Sequence, residues 1–305
     1  MKSALLKDYL LLLFVALMWG ASFSLIKVGV AEVGPASLAA GRITLAAIAL
    51  LVWLVFIKHE KLDFSRSSLW QYAVIGLVGN VIPFTLVGWS EQTIDSAHTA
   101  VLMGIMPIFT VTLAHYYLND EPISVRKLLG IGLGFIGLLV LLGFSIWQGT
   151  SLEIWSQLMI LVGALCYASI TIFVRRKVSM SISVLAAGAM LAASVFALIL
   201  AFTLEQPLQM DWTQRAIVPM VLLGLFPTAL ASVLYFGLVR RMGASRFSQI
   251  NYIIPVIGSV IGVVFLNEIL TWRMVLALFL VLCGIFLVHS ARGPADLSKS
   301  NEAQI

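Results

Sequence analysis

Charge is what this chain has least of. Its 305 residues include only 14 Asp or Glu and 19 Lys or Arg, so 11% are charged, against about 25% in ordinary soluble domains. Cysteine is nearly absent too: Cys166 and Cys283 lie in separate apolar runs with no CxxC spacing, which excludes a disulfide scaffold or a zinc ribbon and leaves them as small packing residues. There is no GxxxxGK[ST] loop, no HExxH, no GxSxG and no clustered His/Asp set among the four histidines. A P-loop ATPase and the common hydrolases are thereby excluded, and no cofactor is implied. The net charge of +5 sits on no soluble domain, so a nucleic-acid partner is not expected.

What is present is apolar: 61% hydrophobic residues and a mean hydropathy of +1.03. Runs free of Asp, Glu, Lys and Arg cover 9–26, 67–90, 96–119, 128–152, 154–174, 178–204, 216–239, 247–267 and 274–291, and a tenth, 33–57, is broken only by Arg42. Each approaches or exceeds the ~18 to 20 residues a helix needs to cross ~30 Å of hydrocarbon. Alternating segments of the β-barrel kind are absent. The expectation is an all-α integral membrane protein of ten transmembrane helices, the first of them too long for a removed signal. Fifteen of the 19 Lys and Arg fall on one side if the N-terminus is cytoplasmic, with only Lys27, Arg215 and Arg273 opposite, which puts both termini inside.

The chain also repeats itself. At an offset of 148, "ALMWGASFSLIK" (16–27) lies over "ALCYASITIFVR" (164–175), Gly76 over Gly224, Pro107 over Pro255 and Leu118-Asn119 over Leu266-Asn267. Without Asp120 the offset becomes 147, pairing Glu121 with Glu268 and Ser124 with Thr271; "LAAG" at 38–41 and 185–188 shares that offset. Residues 1–150 and 151–291 thus read as two five-helix units, followed by a cytoplasmic tail, 292–305, expected to be disordered. Because five is odd, the second unit enters the membrane from the other face, giving inverted repeats. Glu121 and Glu268 mark the repeat, each ending a helix just before a Ser or Thr placed to cap the next one.

The pattern "AxxWGxxFxxIK" in helix 1, "LAAGR" in helix 2, and "SAHTAVLMGIMPIFTVTLAHYYLNDEPISVRKLLGIGLGFIGLLVL" across helices 4 and 5 resembles the EamA-type branch of the drug/metabolite transporter superfamily. The resemblance implies a ten-helix carrier of the bacterial inner membrane, usually exporting amino acids or other small metabolites. It also implies a central cavity lined by helices 1, 3, 4, 6, 8 and 9. Drug, vitamin or nucleoside transport is the alternative within the fold; a lipid scramblase is the alternative outside it.

On those helices the candidate substrate-binding residues are Trp19, Phe23, Asn80, His98, Met103, Tyr167, Thr171, Tyr235, Gln249, Asn251 and Tyr252. Arg42 joins them as the costliest residue, since an Arg at mid-helix costs roughly 2.5 to 3.5 kcal/mol on insertion scales. It either meets a carboxylate or phosphate of the substrate, or snorkels outward or onto backbone carbonyls. Pro83, Pro107, Pro227 and Pro255 interrupt helices 3, 4, 8 and 9 and are candidate hinges. The GxxxG pairs Gly130/Gly134 and Gly258/Gly262 favour close packing inside one bundle over a homodimer face. No carboxylate falls mid-span, and only His98 and His115 remain as titratable candidates there, so facilitated export, or loose coupling through His98, is expected. The partners are then a small-molecule substrate and membrane lipids, with the protein a monomer or homodimer.

Overall fold

The computed structural model describes residues 2–118, 124–148, 150–178, 180–242 and 247–290. Among them all regular structure is helical, and nine helices are long and apolar enough to cross a membrane. These are α1 (Leu6–Val30), α2 (Pro35–Lys58), α3 (Arg66–Glu91), α4 (Ser96–Tyr117), α5 (Val125–Leu142), α6 (Ser151–Lys177), α7 (Ile182–Leu204), α8 (Gln214–Tyr235) and α10 (Trp272–Ser290). Between α8 and α10 lies a shorter apolar helix, α9 (Ile250–Leu266). Each follows one of the ten uncharged runs, because in hydrocarbon only a helix satisfies every backbone group within one segment. Helix starts carry the expected hydroxyl caps. Ser124 Oγ accepts from the Lys127 amide and Thr271 Oγ1 from the Met274 amide, both at 3.3 Å. Glu121 and the tail 292–305 lie outside the described residues.

α5 packs along α10 and α2 along α7, while α1 lies on α9 and α8, and α6 on α4 and α3. Exchanging each helix n with helix n+5 leaves this set of pairings unchanged. The α5/α10 contact is made through glycine. A Cβ at Gly130 would sit 2.5 Å from Gly284 O, and one at Gly284 would sit 2.6 Å from Gly130 O, so neither position has room for a side chain. Gly258 faces Ala100 and Phe23, and Gly262 faces Ser96 and Glu268, so both GxxxG pairs are used inside the bundle.

α2 and α7 run antiparallel and are tied at both ends. Glu205, after α7, accepts from the amides of Ala36 and Ser37 at 2.9 and 2.8 Å, and Glu60, after α2, accepts from the hydroxyl of Ser181, the N-cap of α7. The core between them is built of Ala39, Ala40, Ala46, Ala47, Ala187, Ala193 and Ala197, small residues that let the two backbones approach. α3 and α8 are each interrupted by a π-turn, at Leu77–Val81 and Gly224–Leu230, beside Pro83 and at Pro227.

Candidate functional site

The π-turn of α8 begins with a missing donor. Pro227 has no amide hydrogen and leaves the carbonyl of Leu223, four residues earlier, without its helical partner. Thr228 Oγ1 donates to that carbonyl at 2.7 Å. Its proton thus committed, the hydroxyl offers lone pairs outward, and Arg42 fills them from Nε at 3.2 Å and Nη2 at 3.0 Å. The ring of Phe84 lies 3.7 Å below the guanidinium carbon, a cation–π contact. Arg42 is 4% exposed, so it does not snorkel, and its hydrogen bonds go to a side-chain hydroxyl. Among the described residues no carboxylate forms an ion pair with it, while Tyr167 and, more weakly, the Glu91 carboxyl lie within its electrostatic range. A guanidinium with five donors, held flat by Phe84 and only partly used by one hydroxyl, has the geometry to receive a planar anion.

The same turn holds the aromatic residues. Trp19 Nε1 donates to the carbonyl of Pro227 at 3.0 Å. Its ring packs against Tyr235 and Phe247, at centroid distances of 6.1 and 6.5 Å. Phe247 was not a sequence candidate; it sits just before α9 and closes an edge-on contact with Tyr235 at 4.9 Å. In the first half, Asn80 occupies the repeat position of Thr228 and does the same work, its Nδ2 donating to Ile75 O at 3.2 Å. Both side chains reach five residues back.

The remaining candidates are dispersed. Phe23 shares a helical face with Trp19 but is 7% exposed, packed in a different cluster against Gly258. Met103 packs against the Ile105 and Ile108 group. Thr171 is exposed and bonds only to its own helix, at Tyr167 O, 2.8 Å away. His98 Nε2 is buried without a partner. Gln249 and Tyr252 line a cavity of about 390 Å³ with Ser248, Phe286, His289 and Ser290, where the Tyr252 hydroxyl is 3.3 Å from His289 Nδ1. Asn251, half-buried, follows Gln249 in the first turn of α9. That cavity brings in α10, which the expected set of lining helices omitted.

The prolines are not equivalent. Pro107 follows a tightened turn, where Gly104 and Ile105 donate three residues back at 3.1 Å each. Pro255 lies inside an uninterrupted helix, its carbonyl taken by Ser259 Oγ at 2.8 Å.

A second polar group, within electrostatic range of Arg42, escaped the sequence reading. The run of uncharged residues ends at 90, which assigned Glu91 to a link. In the structure Glu91 is the last residue of α3 and has no exposed surface. Beside it Lys27 Nζ donates to the carbonyls of Glu91 and Ile94, at 2.7 and 2.9 Å. Glu268 caps α4 through the amides of Ser96 and Ala97. Partial burial, and then the Glu268 carboxylate, push the Asp95 carboxyl above its ordinary range, with Lys27 pulling the other way. The signal for Glu91 was spacing: it falls three residues after Gly88, which packs against Pro35, on the buried face.

The profile of the EamA-like transporter family matches residues 6–143 and again 154–290. The uncharacterized transporter YoaV of Bacillus subtilis is 27% identical, over 93% of this chain and 97% of its own. The uncharacterized inner membrane transporter YedA of Escherichia coli is 27% identical, over 89% and 87%. A crystal structure superposes with a TM-score of 0.64 at 18% identity, covering 92% of this chain and 96% of that one, and so shares the fold. This chain is a multi-pass membrane transporter belonging to the EamA-like family.

Proposed function

We propose that the protein is an alternating-access carrier that exports small carboxylate-bearing metabolites, amino acids or related amphipathic compounds, across a bacterial inner membrane. The buried Arg42 guanidinium carries this reading: held by Thr228 and Phe84 without an ion-paired carboxylate, it takes the substrate carboxylate as its counter-ion. The apolar part of the substrate lies against the aromatic group of Trp19, Tyr235 and Phe247, which shares the Pro227 turn with Arg42. Gln249, Asn251 and Tyr252 serve the path between that turn and the inner mouth.

Three observations support an inverted pair of five-helix halves, while cytoplasmic termini rest on the Lys and Arg asymmetry alone. The helix pairings survive exchange of the halves, Asn80 and Thr228 act alike one repeat apart, and the family profile matches twice. Two such halves open a shared cavity to either face in turn. A monomer provides both halves.

The test is a thermal-shift screen of the purified protein against amino acids, nucleosides and vitamins, followed by flux of each hit into proteoliposomes. Saturable flux of a carboxylate-bearing compound, lost in Arg42→Ala, is expected. Binding of neutral nucleosides alone, or lipid equilibration between leaflets with no soluble substrate, would overturn the reading.

A further inference from the structure

Glu91 is the feature that the substrate site leaves unused. It is wholly buried, and neither carboxylate oxygen meets a donor at full hydrogen-bond geometry, although the Thr99 hydroxyl of α4 lies within interaction range. The groups nearby that could donate are committed elsewhere. Lys27 Nζ is held by the main-chain carbonyls of Glu91 and Ile94, and the Thr99 hydroxyl donates to Asp95 O at 3.2 Å. Two half-buried Glu side chains at this end differ in kind. Glu205 and Glu268 each receive two backbone amides, donors that stabilise an ionised carboxylate. An ionised carboxylate without donors in an apolar interior is among the costliest groups a protein can bury, whereas the protonated acid is tolerated.

The charged groups that face Glu91 are Lys27 from α1, Arg42 from α2 and Glu268 from the link after α9. α4 brings the Thr99 hydroxyl, and α6 meets the same turn of α3 through Ser90, whose hydroxyl donates to Ser156 O at 2.8 Å. Four helices and the Glu268 link therefore converge on one carboxyl group that water does not reach while this end is closed. Opening it would admit water and let the acid ionise beside Lys27.

We propose that Glu91 is a proton-binding site coupled to transport: closing this end of the bundle takes up one proton on the Glu91 carboxyl, and opening it releases that proton to water. No other species is needed, and the charge of the site changes by one. The coupling relies on the transporter fold and not on the identity of the substrate. It replaces the facilitated route, or a route through His98, that the sequence alone suggests.

The test is infrared spectroscopy of the reconstituted protein without substrate. Near neutral pH the wild type is expected to show a protonated-carboxyl stretch that shifts on 13C-glutamate labelling and is missing in Glu91→Gln. If Glu91→Gln does not fold, the labelled wild type alone decides, because a spectrum with no protonated glutamate near neutral pH overturns the site. A second measurement reads the coupling. In a Cys-free background, Ser24→Cys places a thiol where Ser24 is buried against Ser96, and an impermeant reagent reports opening. Relative to the same reporter with Glu91→Gln, labelling is expected to rise up to about tenfold per pH unit while Glu91 titrates. Identical pH dependence in the two proteins overturns the proposal, whether or not any amino acid is transported.

Discussion

Glu268 reaches 172 residues back along the chain to close on Ser96, its Oε1 accepting the Ser96 amide at 2.8 Å and its Oε2 the Ser96 hydroxyl at 3.0 Å. Oε2 also takes the Ala97 amide at 2.8 Å. A carboxylate is thus spent on the free amides of a helix start, but the helix is α4 and not α10, which follows Glu268 in sequence. Glycine makes room: a side chain at Gly262 would run into this carboxylate, as one at Gly34 would run into Glu205. Two long-range caps therefore fasten the end of the bundle where Glu91 is buried.

Removing a charge-assisted cap of this kind costs about 1.5 to 3 kcal/mol. Glu268→Ala is expected to lower the melting temperature and to speed labelling of Ser24→Cys by an impermeant thiol reagent. Glu268→Gln, which can accept but carries no charge, should fall between it and the wild type. Unchanged labelling in Glu268→Ala would mean that the cap does not hold this end closed.

Arg42→Lys keeps the charge and loses both the planar fork and the stack on Phe84. A loss of about tenfold in substrate affinity is expected, equivalent to about 1.4 kcal/mol, with a larger loss in Arg42→Ala. Thr228→Ser should preserve affinity while Thr228→Val, lacking the acceptor, should not. Binding measured by calorimetry on a hit from the ligand screen separates these from variants that are merely unstable.

How much of this was legible beforehand depended on what kind of signal each feature leaves. Ten uncharged runs gave the helices, because the bilayer forces a helix on any segment of that length and polarity. The hydroxyl caps at Ser124 and Thr271 were legible because capping is local. Glu91 was misplaced because ending a run at the first charge presumes that charge and burial exclude one another, and a helix can bury its last residue. Trp19 and Phe23 share a face, yet one turn of rise takes them into different clusters. The partnership of Arg42 with Thr228 spans 186 residues, and nothing local in the sequence announces it.

Asp95 gives a pH dependence of opposite sense to that of an ordinary salt-bridged acid. Its carboxyl sits above the ordinary value of 3.8, through partial burial and then through Glu268, so the folded state binds the proton more readily than the unfolded one. The unfavourable charge is present at pH well above that value and disappears as pH falls toward it. Asp95→Asn should therefore raise the melting temperature slightly at neutral pH, by about 1 °C after solvent screening. The gain should vanish in acid, and an equal gain at both pH values would point to a cause other than charge.

The prolines offer the sharpest separation between a hinge and a chemical role. In Pro227→Ala the new amide can donate to Leu223 O and so compete with the Thr228 hydroxyl, which holds that carbonyl at 2.7 Å. Once released, the hydroxyl no longer has a fixed orientation, and Arg42 loses an acceptor whose lone pairs are aimed at it. The π-turn that carries the Pro227 carbonyl to Trp19 also loses its cause. Affinity in Pro227→Ala should then fall by as much as in Thr228→Val, and the double variant should show no further loss, since both act on one hydroxyl. Pro255 also frees a carbonyl, that of Asn251 four residues earlier, but within an uninterrupted helix, and it is not the carbonyl that the Thr228 hydroxyl takes up. Pro255→Ala should leave affinity intact, and if bending at that point gates the path, it should slow turnover alone. Equal loss of affinity in both proline variants would assign the prolines a common mechanical role and take the Thr228 hydroxyl out of the substrate site.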